Sequence, residues 1–270
     1  MQCCKKNPTA IPLENNSTRK RILTAINVSG IFSIILFSFI YLQVNPLTIL
    51  SAPVSMVRFL ATAFFPPDFT HFARYFPAVL ETVYFAVGAT YISALVSFIF
   101  AVLMSKRITK NPFIRNITRY IVSIFRNIPV LIWVQLLIFI FGIGHLVGLI
   151  ALTFASIGFL ARSYAESMDD IADETLEAIR STGATNFQVL VHGLLPEFAP
   201  AWLDWTLFSF EINIRISAIL GIVGAGGIGT VIQTNLERRN FQTASALIIT
   251  LVVMVLVTEI AVGYMRKRIK

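Results

Sequence analysis

The sequence predicts an all-α, multi-pass membrane protein with about six transmembrane helices. Three observations predict it. Residues are 56% hydrophobic and only 13% charged, against about 45–50% and about 25% in soluble domains, and the mean hydropathy is +0.75. Apolar runs of spanning length recur along the chain, and basic residues collect at their ends. An ordinary soluble domain and a disordered chain are both excluded.

A crossing helix needs about 20 mainly apolar residues. Clear runs cover residues 22–43, 79–104, 201–223 and 243–264. The first begins only at Ile22 and is long enough to span, which argues against a cleavable signal peptide. Residues 128–161 are broken at Gly142, Ile143 and Gly144. This stretch reads as two short helices joined by a tight turn near His145; one long helix plus a re-entrant piece is the other arrangement.

The net charge is +8, which suits either an acidic partner or the cytoplasmic ends of membrane spans. Position decides. Lys5, Lys6, Arg19, Lys20 and Arg21 precede the first run. Lys106, Arg107, Lys110, Arg115, Arg119 and Arg126 follow the second, and Arg266, Lys267, Arg268 and Lys270 follow the last. Together these segments hold fifteen of the 22 basic residues and a single acidic one, Glu14. The positive-inside rule therefore places both termini and the 105–127 loop in the cytoplasm, with Arg238 and Arg239 as the exception. Cations at span ends, rather than on a folded surface, point to membrane lipid and away from nucleic acid. The expected location is a membrane, crossed several times, with both termini cytoplasmic.

Between the spans, residues 44–75 read as an outer loop punctuated by Pro46, Pro53, Pro66 and Pro67. Within it Met56, Val57, Phe59, Leu60, Phe64 and Phe65 suit a short interfacial helix. In the second run Ala86, Thr90, Ser93, Ser97 and Ala101 recur at helical spacing, a small-residue stripe for close helix packing, within the bundle or at a dimer seam. The chain divides into residues 1–75, a transmembrane domain over 76–265, and a basic tail at 266–270.

Residues 162–200 differ in character, holding seven of the fourteen acidic residues, among them Asp173 and Glu177. Ala172, Leu176, Ile179 and Gly183 form an amphipathic stripe. Asp169 or Asp170 suits its start, and Gly183 a sharp exit. A second short helix fits 186–190, with Pro196 ending the segment. On these residues alone, a solvated connector and a partner-docking surface both stand.

In the fifth span Asp204, Phe208, Glu211 and Arg215 share one helical face, and Glu211 and Arg215 suit an ion pair one turn apart. Intramembrane charges almost always face the bundle interior or a water-filled cavity. Either the pair fixes packing, or Arg215 offers positive potential to a passing anion while Glu211 holds it. Asn213, on the other side, suits an interhelical hydrogen bond.

Gly224, Gly226 and Gly229 satisfy G-x-G-x-x-G, but no strand precedes them as a dinucleotide site requires. With Gly227 they read instead as flexible backbone at the outer end of the fifth span, suited to a gate. No Gly-Lys pair occurs, so a Walker A nucleotide site is excluded. His71, His145 and His192 lack ligand spacing, so no metal and no cofactor is expected. Cys3 and Cys4, neighbours in sequence, do not suit a structural bridge.

Glu177-Ala178, Gly183 and Leu195-Pro196 match the spacing of the EAA loop, the signature of permease subunits of bacterial ABC importers. Ile179 replaces its second alanine and Gly193 its isoleucine, without altering the spacing. The resemblance implies a type I importer fold like that of methionine permeases. It also implies a coupling helix, carrying Asp173, Glu177, Ala178 and Gly183, that docks on the ATP-hydrolysing subunit. Closure of the ATPase dimer would then push these helices and alternate the access of the cavity. Further partners follow from it: a second permease copy, and a periplasmic or lipid-anchored substrate-binding protein. ATP hydrolysis would lie in the separate subunit.

The segment from Phe64-Phe65-Pro66-Pro67-Asp68-Phe69, Arg126-Asn127-Ile128-Pro129, and the run from Phe210 to Gly229 resemble the permeases of phosphonate importers. A phosphonate, phosphite or phosphate-ester cargo is implied. Two rivals are an ion-coupled secondary transporter using Asp204 and Glu211, and a membrane enzyme acting on phosphate groups. The latter needs a nucleophile or metal constellation, and none is visible.

Overall fold

The computed structural model describes residues 16–43, 45–171, 177, 179–185 and 188–269. Among these, every regular element is helical. Contacts divide the chain into two units, Met1–Thr62 and Ala63–Lys270.

The first unit holds α1 (Asn16–Tyr41) and α2 (Pro46–Phe59), which runs on as a π-helical segment, Leu60–Phe64. Large apolar side chains of α1, such as Phe32 and Phe37, are exposed, as on a helix solvated by lipid. The expected loop at 44–75 is therefore mostly helix. Pro46 costs little, sitting in the first turn, where its missing N–H is not needed. Pro53, inside the helix, removes one internal hydrogen bond, an interruption that ordinarily costs about 3 kcal/mol.

The second unit contains α3 (Phe72–Met104), α4 (Pro112–Asn127), α5 (Val130–Phe141), α6 (His145–Asp169), a π-helical segment (Val189–Leu194), α7 (Leu195–Ile222), α8 (Gly227–Glu237) and α9 (Phe241–Ile269). Helices α3, α6 and α9 run one way and α7 returns. One end of this bundle carries the turns at 142–144 and 223–226, here the glycine end. The other carries residues 105–111 and the described part of 170–194, here the loop end.

Among the described residues, five helical stretches are long and apolar enough to cross a membrane, and α4 with α5, bent by 91°, qualifies only as a pair, in the manner of a broken span or a re-entrant loop. Alone, the twelve residues of α5 rise only about 18 Å, against a hydrocarbon core of about 30 Å. Pro129 causes the break: it forces Ile128 into an extended conformation and starts a new helix. Two helices do meet at the 142–144 turn, but the second is not short; α6 has 25 residues. Nor is 105–127 merely a basic loop. Asn111 caps α4 by accepting the Phe113 N–H at 2.9 Å, and Pro112 opens it.

The small-residue stripe of α3 is buried against α6: Ala86, Ser93, Ser97 and Ala101 are inaccessible, and the Ser97 hydroxyl donates to the Ile157 carbonyl at 3.4 Å. At the loop end, Tyr164, Met168, Leu194 and Phe198 fill the core, with the Tyr164 and Thr206 hydroxyls 2.6 Å apart. An aromatic trio, Phe125, Trp133 and Phe154, holds the α4–α5 bend on α6 with centroids 5.0–5.7 Å apart. The end of α4 crosses Gly158 so closely that a Cβ there would lie 2.7 Å from the Arg126 Cα.

Two boundaries in the acidic loop move. Asp169 belongs to the end of α6, and its carboxylate accepts from the Ser105 hydroxyl (2.7 Å) and the Lys106 N–H (2.8 Å); the helix start it is expected to cap lies outside the described residues. Pro196 begins rather than ends an element, standing in the first turn of α7, where proline is tolerated.

Candidate functional site

The ionisable face of α7 splits in two. Asp204 pairs with Arg266 of α9, Oδ1 to Nε at 3.0 Å, and the same guanidinium donates to the Asp204 carbonyl at 3.0 Å. Phe208, on the same face, lies beneath that guanidinium at 5.2 Å. These residues clamp the loop end of α9 to α7. Glu211 lies two turns on, about 10 Å along the axis, and pairs with Arg215. Glu211 is 12% exposed and Arg215 48%, so the carboxylate is sheltered while the guanidinium is half open. The structure thus brings Glu211 and Arg215 together and sets Asp204 apart.

Behind this face, Asn213 joins three helices. Its amide donates to Thr90 Oγ1 at 2.8 Å on α3 and accepts from the Ser156 hydroxyl at 2.9 Å on α6. All three are buried. Such a satisfied polar knot fixes the mutual rotation of α3, α6 and α7.

At the glycine end the run 224–229 forms a tightly packed corner. Gly224, Gly226 and Gly227 have φ of +94°, +94° and +74°, which lets the chain reverse between α7 and α8. Gly229 packs on Gly221, with a Cβ at Gly229 2.9 Å from the Gly221 Cα. The corner is held by α3. Glu81 accepts the Gly227 N–H at 3.0 Å, and Thr82 Oγ1 accepts the Ile228 N–H at 2.9 Å. The two side chains thus satisfy donors at the start of α8. Glu81 also contacts His145 Nδ1, whose ring stacks on Phe85 at 5.8 Å between centroids. One carboxylate therefore ties together α3, α6 and α8. Sequence reasoning passed over Glu81; its signal was a lone carboxylate in an apolar run.

At the loop end, Glu177 is exposed. Gly183 has φ +82° with open space where a side chain would stand. Ile171, Ile179, Ala184 and Val189 pack against the bundle core, which anchors the segment on either side of the exposed Glu177. Thr185 and Gln188 close a turn, the Gln188 side chain accepting the Thr185 N–H at 2.8 Å. Leu195 is half-buried and Pro196 exposed at the start of α7. Asp173 and Ala178 lie outside the described residues. Among the described residues no three His, Cys, Asp or Glu side chains gather as a metal site.

A family profile described as "Binding-protein-dependent transport system inner membrane component" matches residues 97–270. The phosphite transport system permease protein PtxC of Stutzerimonas stutzeri is 28% identical over 90% of this chain and 88% of its own length. The phosphate-import permease protein PhnE of Mycolicibacterium smegmatis is 32% identical over 96% of this chain, which spans 48% of that relative. In fold, the chain is similar to the inward-facing MetNI methionine ABC transporter, with a TM-score of 0.67 over 73% of this chain and 96% of that one, at 24% identity.

Proposed function

The chain belongs to the family of inner membrane components of binding-protein-dependent transport systems, and from that premise we propose that its cargo is a phosphorus oxyanion: phosphonate, phosphite or a phosphate ester. It is the permease component of an ABC importer, a multi-pass membrane protein and a transport subunit, with ATP hydrolysis in a separate subunit. The secondary-transporter and membrane-enzyme readings give way to that membership. The observation that carries the cargo class is that relatives aligned over at least nine-tenths of this chain are named for phosphite and phosphate.

The arrangement of α7 supports the same class. Arg215 supplies a half-open cation and Glu211 steadies it, a cationic character weak enough to release an anion. In this reading Asp204 is a structural clamp rather than part of the path. The loop end faces the cytoplasm, as the positive-inside rule prefers, and both termini lie there. The exposed segment with Glu177 and Gly183, carrying Asp173 and Ala178 and leading to Leu195 and Pro196, docks on an ATPase dimer. The Gly224–Gly229 corner forms part of the outer gate. A second copy of this chain completes the cavity, and a periplasmic or lipid-anchored binding protein delivers the cargo.

The test is uptake by the complete transporter in proteoliposomes, with ATPase turnover followed separately. Phosphite or phosphonate should accumulate and methionine should not. Arg215→Met should lower uptake while ATPase turnover persists. Accumulation of methionine alone, or uptake unaffected by Arg215→Met, overturns the cargo and path assignments respectively. For docking, Glu177→Arg and Gly183→Asp should each reduce co-purification of the ATPase; full retention by both overturns that assignment.

A further inference from the structure

A cavity of about 340 Å³ opens at the loop end between the last turn of α3, the polar face of α4 and the final turns of α6. It takes no part in the transport path outlined above. Its lining includes Lys106, Arg119, Arg126 and Arg162 against only Glu166 and Asp169. Both carboxylates are already engaged. Asp169 accepts from Ser105 and from the Lys106 backbone, and Arg119 approaches its other oxygen at 3.9 Å. Glu166 accepts from Arg162 Nε at 2.6 Å. Lys106 and Arg126 are exposed, and neither forms an ion pair among the described residues.

Two unmatched cations around a concave site call for an anion with several acceptor oxygens. A phosphate group meets that need: it accepts from a guanidinium fork and an ammonium at once. The position of the cavity indicates the source. Arg119 and Arg126 share one face of α4, while Phe113, Ile117, Tyr120 and Ile124 stand exposed on the opposite face. A basic amphipathic helix next to membrane spans lies in the interface, apolar face toward the acyl chains, and its cations then sit at phosphate depth. Basic pockets between transmembrane helices at that depth take lipid headgroups.

We propose that this cavity binds a phosphate-type oxyanion, presented chiefly as the headgroup of an anionic phospholipid, with Lys106 and Arg126 as its principal ligands. The site is separate from Arg215, which lies in the half of α7 nearer the glycine end.

The experiment uses the purified full-length chain in a neutral detergent. Phosphatidylglycerol, phosphatidylcholine and inorganic phosphate are titrated separately, with binding read by native mass spectrometry and thermal shift. Phosphatidylglycerol should bind and raise the melting temperature more than phosphatidylcholine. The double substitution Lys106→Gln with Arg126→Gln should weaken that binding by about tenfold or more. The charge-keeping pair Lys106→Arg with Arg126→Lys should retain it, and so should Lys267→Gln, a cation outside the cavity. These variants alter exposed side chains, and an unchanged circular dichroism spectrum verifies the fold. A shift by inorganic phosphate alone, lost in the double glutamine variant, assigns the same chemistry to a soluble oxyanion. Equal binding of both ligands by wild type and the double glutamine variant, or binding of neither by wild type, overturns the proposal.

Discussion

Glu81 and Gly227 are 146 positions apart, yet the Glu81 carboxylate accepts the Gly227 N–H at 3.0 Å. The adjacent Thr82 accepts the next N–H, of Ile228, at 2.9 Å. Consecutive residues of a long membrane helix therefore receive consecutive donors from the start of a short one. Ile228 is buried, so its helix-end N–H must find a partner within the protein. The glycine corner depends on this contact.

Thr82→Val tests it most cleanly, because valine keeps the shape and removes the acceptor. The Ile228 N–H is then buried without a partner, at a cost of about 1–3 kcal/mol. Thr82→Ser should remain close to wild type. Thermal unfolding in detergent measures both, and equal stability of the valine and serine variants would show that the hydrogen bond contributes nothing.

Gly226→Ala and Gly142→Ala separate two costs of adding a side chain. Both glycines have positive φ, +94° and +76°. At Gly142 the added Cβ meets open space, whereas at Gly226 it runs into His145 and lies 3.0 Å from Glu81 Oε1. Gly142→Ala should cost about 1–3 kcal/mol, the conformational penalty alone, since its ψ of −179° puts it in a region almost confined to glycine. Gly226→Ala should cost more than that, and His145→Ala in the same chain should recover part of the excess. Equal losses at the two positions would mean that the corner yields freely.

The sequence carried the architecture well where one physical signal dominated. Long apolar runs marked α1, α3, α7 and α9, and the break at Gly142 marked the turn between α5 and α6. It was less legible where two signals competed. The prolines of 46–67 outweighed an apolar pattern that is in fact helical. The six cations from Lys106 to Arg126 carry a strong sidedness signal, which masks the amphipathic helix α4. At the sites, the Glu211–Arg215 pair followed from helical spacing. The Asp204–Arg266 and Glu81–Gly227 contacts did not, because no local pattern specifies which distant segment a charged side chain will meet.

Acid should release the turn at Asp68. Hydrogen bonds from the Thr70 hydroxyl and N–H hold this carboxyl below the ordinary carboxylate range. A depressed value in the folded state means that the contribution is present above the unfolded carboxyl range, about 3.9. It is lost as pH falls through the lowered folded value. The side chain is fully exposed, so the effect is local. The Thr70 amide resonance should therefore titrate below pH of about 4, and Asp68→Asn should abolish that titration. A Thr70 midpoint at or above the ordinary carboxyl value would contradict the contact.

The two ion pairs of α7 should respond differently to losing their acidic member. Asp204→Asn leaves Arg266 its bond to the Asp204 carbonyl and its place over Phe208, at a partly exposed helix end. Its cost should be about 1 kcal/mol or less, with uptake intact. Glu211→Gln instead leaves Arg215 charged and unpaired within a membrane helix, where an isolated arginine costs about 2.5–3.5 kcal/mol. Removing both members, Glu211→Gln with Arg215→Met, eliminates the stranded charge and should bring stability back to within about 1 kcal/mol of wild type. That double variant separates structure from transport. If the pair only fixes packing, uptake returns along with stability. If Arg215 serves the passing anion, the repaired fold still fails to accumulate phosphite. Unfolding and uptake measured on the same preparation therefore decide the role of the guanidinium.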